Sequence, residues 1–203
     1  MPSFLRLLPL LMLPLALPAA SVSGEFTFET KVPLVGLVWV DAAASPASTV
    51  KVGQKGRTFS PGLVFAPAGS TLSIQNDDDQ DHNAYAKDPA LDADLGLASP
   101  GKEIVQKISW ADGTFVRFGC KIHPTMQLWV GSVASPLAVQ PTFNKEEHSG
   151  KVVIANIPDG AATVHVWLPL HDPLTLTVAG TPVSSDLLLK GRKTGSVTLT
   201  MTP

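Results

Sequence analysis

The sequence has little cysteine, little tyrosine and little charge. Among 203 residues there is one cysteine, Cys120, and one tyrosine, and charged residues make up 16% of the chain. One cysteine cannot form a disulfide within the chain, which excludes a small disulfide-rich scaffold. The 15 basic residues do not outnumber the 17 acidic ones. No basic stripe could replace the counterions of a phosphate backbone, so a nucleic-acid partner is not expected.

Long hydrophobic runs are missing except at the amino terminus. Residues 1–24, MPSFLRLLPLLMLPLALPAASVSG, carry one arginine, then an apolar run interrupted by prolines, then small residues. This order is typical of a secretory signal peptide, and the run is too short and too proline-rich for a membrane-spanning helix. We expect cleavage between Ala19 and Gly24 and export to the periplasm, with an uncleaved anchor as the alternative. No membrane span is expected in the mature chain.

Export makes the lone cysteine informative. Loss of Arg6 with the signal peptide leaves 14 basic and 17 acidic residues, a net charge of −3 before the histidines are counted. In an oxidising compartment Cys120 has to be buried, paired with another chain or bound to a ligand. Burial as a small hydrophobic side chain is the plain alternative to a functional role.

Short segments of alternating apolar and polar residues, rich in Val, Thr, Gly and Pro, predict an all-β chain. No long stretch follows the 3.6-residue period of a helix. Strands are predicted near residues 25–30, 34–41, 49–53, 57–59, 62–65, 71–75, 102–110, 115–120 and 127–135. Residues 76–102 interrupt the alternation and are predicted to form a long polar loop with one loose helical turn.

The pattern also divides the chain into two units. Residues 25–135 are expected to form the first domain, and residues 136–144, which are polar and contain prolines, a linker. Residues 145–203 contain four or five further strand-like segments separated by Asp-Gly, Ala-Gly and Gly-Arg turns. They are interpreted as a small β-sandwich module, or as an extension packed on the first domain.

Potential metal ligands cluster around the cysteine. His123 follows Cys120 by three residues and Met126 follows His123 by three, on a short connection between two predicted strands, while His82 lies upstream. One thiolate, two imidazoles and a thioether are donors that suit copper in both of its common oxidation states. Zinc more often recruits further cysteine, histidine or carboxylate ligands. The spacing therefore favours one copper ion per chain, bound by these four residues.

The wider pattern around these ligands resembles a known family. The segments NDDDQDHN (residues 76–83) and GCKIHPTM (residues 119–126) are similar to motifs of the cupredoxins, the blue-copper proteins. The short C-x-x-H-x-x-M loop resembles those of amicyanin and pseudoazurin. The longer pattern, which spans roughly residues 30–170 and includes VHVWLP in the second unit, resembles plastocyanin-like periplasmic proteins often labelled "methylamine utilization protein".

The resemblance implies a fold and a site. It implies a Greek-key cupredoxin β-sandwich followed by the small β-sandwich module, with a type 1 (blue) copper ion in the first domain. His82, Cys120 and His123 would be the equatorial ligands and Met126 the axial one. Asn83 would correspond to the family's asparagine that hydrogen-bonds the cysteine-bearing loop, a position from which it tunes the metal.

The remaining polar residues are assigned no site. The acidic run at 77–81 is interpreted as a solvated turn, since it lacks the glycine and terminal glutamate of a calcium-binding EF-hand loop. His165 and His171, in the second unit, have no matched set of further ligands, so that unit is expected to serve positioning or docking. His148, in a charged segment, is expected to be solvated.

These observations leave a small set of functions. No G-x-S-x-G motif is present, and a four-ligand metal site leaves no open position for a substrate, so an enzyme is not expected. The first hypothesis is a one-electron carrier whose partner is a redox protein. The alternative is a copper sequestration or delivery protein whose partner is a copper donor or acceptor. A structural adhesion module without metal is the third reading.

Overall fold

The protein is described by a computed structural model over residues 20–158, residue 160 and residues 162–203. Every regular element in these residues is a β-strand, which confirms the predicted all-β class, and none of them forms a helix that could cross a membrane. The strands are β1 (Ala20–Phe28), β2 (Leu37–Val40), β3 (Thr49–Lys55), β4 (Thr58–Ser60), β5 (Leu63–Ala66), β6 (Thr71–Asn76), β7 (His82–Asp88), β8 (Leu91–Ala98), β9 (Glu103–Lys107), β10 (Phe115–Gly119), β11 (Gln127–Ser132), β12 (Ala138–Val139), β13 (Thr142–Asn144), β14 (Ser149–Ile157), β15 (Ala162–Trp167), β16 (Leu174–Val178), β17 (Val183–Leu189) and β18 (Arg192–Thr202).

Strands β3 to β11 form the first sandwich. Its two sheets have the strand orders β5-β11-β10-β7-β8 and β4-β3-β6-β9, with parallel pairs at β3/β6 and β5/β11. The core between the sheets includes Ile74, Phe118 and Leu128, none of which is exposed to solvent. Each such side chain contributes about 1.5–3 kcal/mol through its removal from water. This core holds the strands that carry the candidate ligands.

Strands β1, β2 and β12 to β18 form the second sandwich. Its sheets have the orders β13-β14-β1-β18-β17 and β12-β2-β15-β16. The core between them is a separate cluster that includes Phe26, Ile154 and Val197. The predicted four or five strands after residue 145 are all present, as β14 to β18.

The domain boundaries predicted from the sequence need correction. Strand β1 lies between β14 and β18, and β2 lies between β12 and β15, so the amino-terminal strands belong to the second sandwich and not to a unit spanning 25–135. The predicted linker 136–144 contains β12 and β13, which are paired edge strands of that sandwich. Alternation identifies a strand and its buried face, but it says nothing about the strand's partner.

The predicted signal peptide falls mostly outside the described residues. Residues 1–19 are not described, whereas Ala20 to Gly24 form the first half of β1 and pair with β14 and β18. Within the predicted cleavage range 19–24, cleavage before Ala20 would leave β1 intact.

The predicted loop at 76–102 is also corrected. It contains the hairpin β7–β8, whose turn lies at residues 89–90. Strand β8 is the edge of its sheet, and its aspartates 92 and 94 are 66% and 49% exposed. An edge strand with a solvated face carries polar residues where a central strand would be apolar, which is why the segment reads as a loop.

An aromatic cluster joins the two sandwiches. The ring of Phe115, on β10, stacks on that of Trp167, on β15, with centroids 3.8 Å apart and planes 8° apart. Trp129 meets Trp167 edge-on at 5.2 Å, and Trp39 approaches Phe115 at 6.0 Å. Leu63 is buried in the same cluster. Trp129 and Trp167 thus pack between the sandwiches.

Candidate metal centre

Two neighbouring strands bring the histidine and the cysteine together. His82 is the first residue of β7, and Cys120 directly follows β10, which pairs antiparallel with β7 through Gly119 opposite Tyr85. Continuing that register places Cys120 beside the start of β7. The connection from β10 to β11 then carries His123 back over the end of the sheet.

The ligand atoms of the three side chains converge. Nδ1 of His82 lies 3.1 Å from Nδ1 of His123, and Sγ of Cys120 lies 3.8 Å from the same nitrogen. All three potential ligand atoms lie within 4.8 Å of one another, and among the described residues this is the one His/Cys/Asp/Glu group close enough to hold a metal ion. His82 and Cys120 are 0% and 1% exposed, whereas His123 is half-buried. The site therefore reaches solvent through His123.

Met126 is buried at the end of the cysteine loop. It is 3% exposed and belongs to the same hydrophobic core as Cys120. Its backbone N–H donates to the carbonyl oxygen of His123 over 3.0 Å, which makes residues 123–126 a tight turn before β11. The spacing of three residues seen in the sequence thus corresponds to one turn that buries the thioether side chain.

Asn83 connects the strand to the cysteine loop. Its backbone N–H donates to Sγ of Cys120 over 3.4 Å, and its Oδ1 accepts from the backbone N–H of Lys121 over 3.3 Å. Its Nδ2 donates to Oδ1 of Asp94 over 2.8 Å and to the carbonyl of Gly96 over 2.9 Å. One buried side chain therefore links β7, β8 and the loop.

The structure adds a residue that sequence reasoning missed. Oδ2 of Asp78 lies 3.0 Å from Nε2 of His82, the ring nitrogen that does not face His123. The hydrogen bond from His82, followed by that from the backbone N–H of Arg57, holds the pKa of Asp78 well below its usual range. A carboxylate on one imidazole nitrogen fixes the ring and its tautomer and leaves the other nitrogen free as a ligand. The sequence shows only that Asp78 lies four residues before His82, and this spacing does not specify the contact.

Local charges favour a neutral His123. Burial lowers its pKa, and the neighbouring His82 and Arg57 lower it further by repelling a proton. A metal ligand must be unprotonated, so this environment keeps Nδ1 available near neutral pH. Further out, the Lys121 ammonium and then the Asn83 amide lower the pKa of Asp94 to about 2.

The other histidines lie apart from this cluster. His165 stacks on Trp39 at 4.9 Å, with its ring nitrogens on Asp41 and Thr175 at 2.8 and 3.1 Å. Both ring nitrogens of His171 are also hydrogen-bonded, to a backbone carbonyl and a threonine hydroxyl at 3.0 Å each. His148 is exposed. None of the three joins a second group of ligands among the described residues.

Comparison with known proteins gives partial structural similarity. No family model matches the chain, and no curated protein matches it. Solved structures to which part of the chain is similar include cupredoxins and a copper-containing enzyme. A purple cupredoxin from Nitrosopumilus maritimus has 18% identity over 40% of this chain and 96% of its own, with a TM-score of 0.36. Amicyanin from Paracoccus versutus has 23% identity over 46% of this chain and 95% of its own, with a TM-score of 0.37.

A copper-containing nitrite reductase from Thermus scotoductus has 23% identity over 48% of this chain, but the match spans only 24% of that enzyme, with a TM-score of 0.38. All three TM-scores are too low to assign a function. The function of this chain has to be argued from its own side chains.

Proposed function

We propose that this protein holds one copper ion with His82, Cys120, His123 and Met126 and serves as a one-electron carrier in the periplasm. The observation that carries the proposal is the convergence of two imidazole nitrogens and the only thiol of the chain within 4.8 Å, with His82 and Cys120 buried. A cysteine that is only a buried hydrophobic side chain does not require histidines next to it. The structural role considered for Cys120 therefore does not account for the two histidines beside it.

The donor set fits copper. Two imidazoles and a thiolate with a thioether nearby are borderline and soft donors, which suit copper and give magnesium or calcium no oxygen ligand. The one carboxylate at the site, Asp78, contacts the far nitrogen of His82 and so supports a ligand without being one. Bound copper would supply the Cu(I)/Cu(II) couple.

The protein's own part is to hold the ligands still. Asp78 restrains His82, the backbone of Asn83 restrains the sulfur of Cys120, and the turn at 123–126 restrains the loop. Ligands that cannot move lower the rearrangement needed when the charge of the site changes. Burial of His82 and Cys120 keeps water away, and the partly exposed edge of His123 provides the contact with a partner redox protein.

The same features argue against the alternative of copper delivery. A donor protein has to release its ion to an acceptor at a useful rate, and exchange requires access for the incoming ligand. Two of the three converging ligands are buried and hydrogen-bonded here. We therefore expect slow release, which favours a carrier over a protein that sequesters and hands on copper.

Spectroscopy tests the proposal. The mature chain loaded with one equivalent of Cu(II) should have an intense thiolate-to-copper absorption band and a narrow hyperfine splitting in its electron paramagnetic resonance spectrum. A colourless protein with ordinary tetragonal copper would refute the blue-copper assignment. His165→Ala is the matched control, since that histidine lies outside the cluster, and its spectrum should be unchanged.

Copper transfer separates the two functions. The loaded protein is mixed with a Cu(I) chelator after reduction, and the loss of metal is followed with time. A carrier should retain its copper over many cycles of oxidation and reduction. Rapid transfer to the chelator would favour the delivery function.

Sequencing the amino terminus of the exported protein tests the proposed location and the cleavage range 19–24.

A further inference from the structure

We propose that the cleft between the two sandwiches is a binding site for a small amphipathic anion, with an apolar body and one carboxylate or sulfonate group. The cleft has a volume of about 520 Å³ and reaches Met126 at one side. Ligand sites are commonly concave, largely apolar cavities of about 300–1,000 Å³ at domain junctions. The proposal concerns a second site and does not depend on copper binding.

Separate stretches of both sandwiches form the walls. The first sandwich contributes residues 57–59 of the β3–β4 turn and β4, Gly62, and residues 125–129 of the cysteine loop and β11. The second sandwich contributes the segment 30–35 between β1 and β2, the loop 169–171 after β15, Leu189 at the end of β17 and Thr194 in β18. The cleft therefore exists only because the sandwiches are packed together.

The cleft is suited to an apolar body. Phe59 and Met126, both buried, and the partly exposed Trp129 line it. Leu34 and Leu170 also line it and are 68% and 65% exposed. Both leucines are among the most exposed large hydrophobic side chains of the described residues. Apolar side chains gathered in this way, with their faces uncovered, are typical of a binding surface.

The charged lining residues are all basic. Lys31 and Arg57 line the cleft together with His171, and no aspartate or glutamate does so among the described residues. Neither Lys31 nor Arg57 belongs to an ion pair formed within the described part of the chain. Both ring nitrogens of His171 are already hydrogen-bonded. The charge complement of the cleft is therefore one anionic group, recognised by Lys31 and Arg57.

The backbone at Leu170 supports a functional role for the rim. This leucine has a φ of +67°, a left-handed conformation that is unfavourable for a side chain of its type. Such conformations are strained and persist where the surroundings or the function require them. Glycine would adopt this conformation without strain. The leucine instead places an exposed apolar side chain at the cleft.

Two fluorescent probes with the same aromatic body test the recognition of charge. The metal-free mature chain is titrated with 8-anilinonaphthalene-1-sulfonate and, separately, with the uncharged N-phenyl-1-naphthylamine. We expect the sulfonate to bind at one equivalent with micromolar affinity, and the uncharged probe to bind at least about tenfold more weakly. Decanoate should displace the sulfonate, and decanol should not.

Variants assign the binding to this cleft. Lys31→Gln and Arg57→Gln should each weaken binding of the sulfonate by about tenfold and leave binding of the uncharged probe unchanged. Lys193→Gln, an exposed cation of the second sandwich that pairs with Asp186, is the matched control and should have no effect. Leu170→Gly should weaken both probes while the thermal midpoint stays equal or rises, since glycine relieves the left-handed backbone.

Probe binding to the metal-free chain tests the cleft independently of copper. Equal affinity for both probes, no saturation at one equivalent, or insensitivity to Lys31→Gln and Arg57→Gln would overturn the proposal. So would the absence of binding by either small probe, which would leave the cleft to a polypeptide partner. The same titration in Cys120→Ser should match the parent protein, so a failure of the copper proposal would not alter this result.

Discussion

The backbone N–H of Asn83 donates a hydrogen bond to Sγ of Cys120 over 3.4 Å, so the residue next to one candidate ligand restrains another. The side chain of Asn83 continues the restraint through the backbone N–H of Lys121 and the carbonyl of Gly96. Removing this side chain leaves buried polar groups without partners, at a cost of about 1–3 kcal/mol.

Asn83→Ala is expected to weaken copper binding by about 10- to 100-fold, because groups that orient a ligand affect metal affinity on that scale. Competition with a chelator measures the affinity, and chemical denaturation measures the free energy of unfolding. Asn144→Ala is the control, since Asn144 accepts two backbone hydrogen bonds in an exposed turn away from the site. An unchanged affinity for Asn83→Ala would contradict the role given to this residue.

The two sulfur ligands should have different effects. Cys120→Ser should abolish the intense visible band, because the thiolate that donates charge to the metal is gone. Met126→Leu should keep the band and raise the reduction potential, since a weak axial donor is removed. Absorption spectroscopy and voltammetry measure the two effects. A Cys120→Ser protein that remained blue would show that the ligand assignment is mistaken.

Asp78→Asn should weaken the hydrogen bond that orients the His82 ring. The amide cannot supply the negative charge that makes the imidazole a stronger donor, so copper affinity should fall by about tenfold or more. Asp79→Asn is a close control, because Asp79 is the exposed neighbour and does not contact His82. The ratio of the two affinities is the measurement. If both variants bind copper equally well, Asp78 has no special part in the site.

The pair formed by Asp94 and Lys121 should make stability depend on pH. The pKa of Asp94 is lowered to about 2 in the folded protein, mainly by Lys121, while an aspartate in an unfolded chain has a pKa of about 3.9. A lowered folded-state pKa contributes stability above the unfolded value, and this contribution is lost as the pH falls from about 4 through about 2.

Asp94→Asn should therefore be less stable than the parent at pH 6, with a difference that shrinks toward pH 2. Thermal unfolding of the metal-free proteins across this range is the measurement. In a Lys121→Gln background the difference at pH 6 should be smaller, because the partner charge is absent. A difference that does not change with pH would exclude this linkage.

The stacking of Trp167 on Phe115 should stabilise the junction of the two sandwiches. Trp167→Ala is expected to cost about 3–5 kcal/mol of unfolding free energy, as is usual for a buried tryptophan. Trp167→Phe keeps an aromatic ring at the position and should cost clearly less. Equal losses for the two variants would indicate that ring stacking contributes little. Denaturant unfolding of the metal-free chain measures both.

Much of the site could be predicted from the sequence because its ligands are close along the chain. The connection from β10 to β11 is so short that Cys120, His123 and Met126 lie on one loop. The donor types then identify the metal class by their chemistry. The all-β class could be predicted as well, since alternation of side chains follows directly from strand geometry.

Other features were decided only by the tertiary structure. Strand β1 pairs with β14 and β18, more than 100 residues away along the chain, and backbone hydrogen bonds between strands are the same whatever the side chains. The contact of Asp78 with His82 depends on which way an imidazole ring is turned, and spacing does not specify this. The cleft depends on distant stretches of chain that meet only when two hydrophobic cores pack against a shared aromatic cluster. Local pattern determines elements and short loops, whereas long-range packing determines which elements meet.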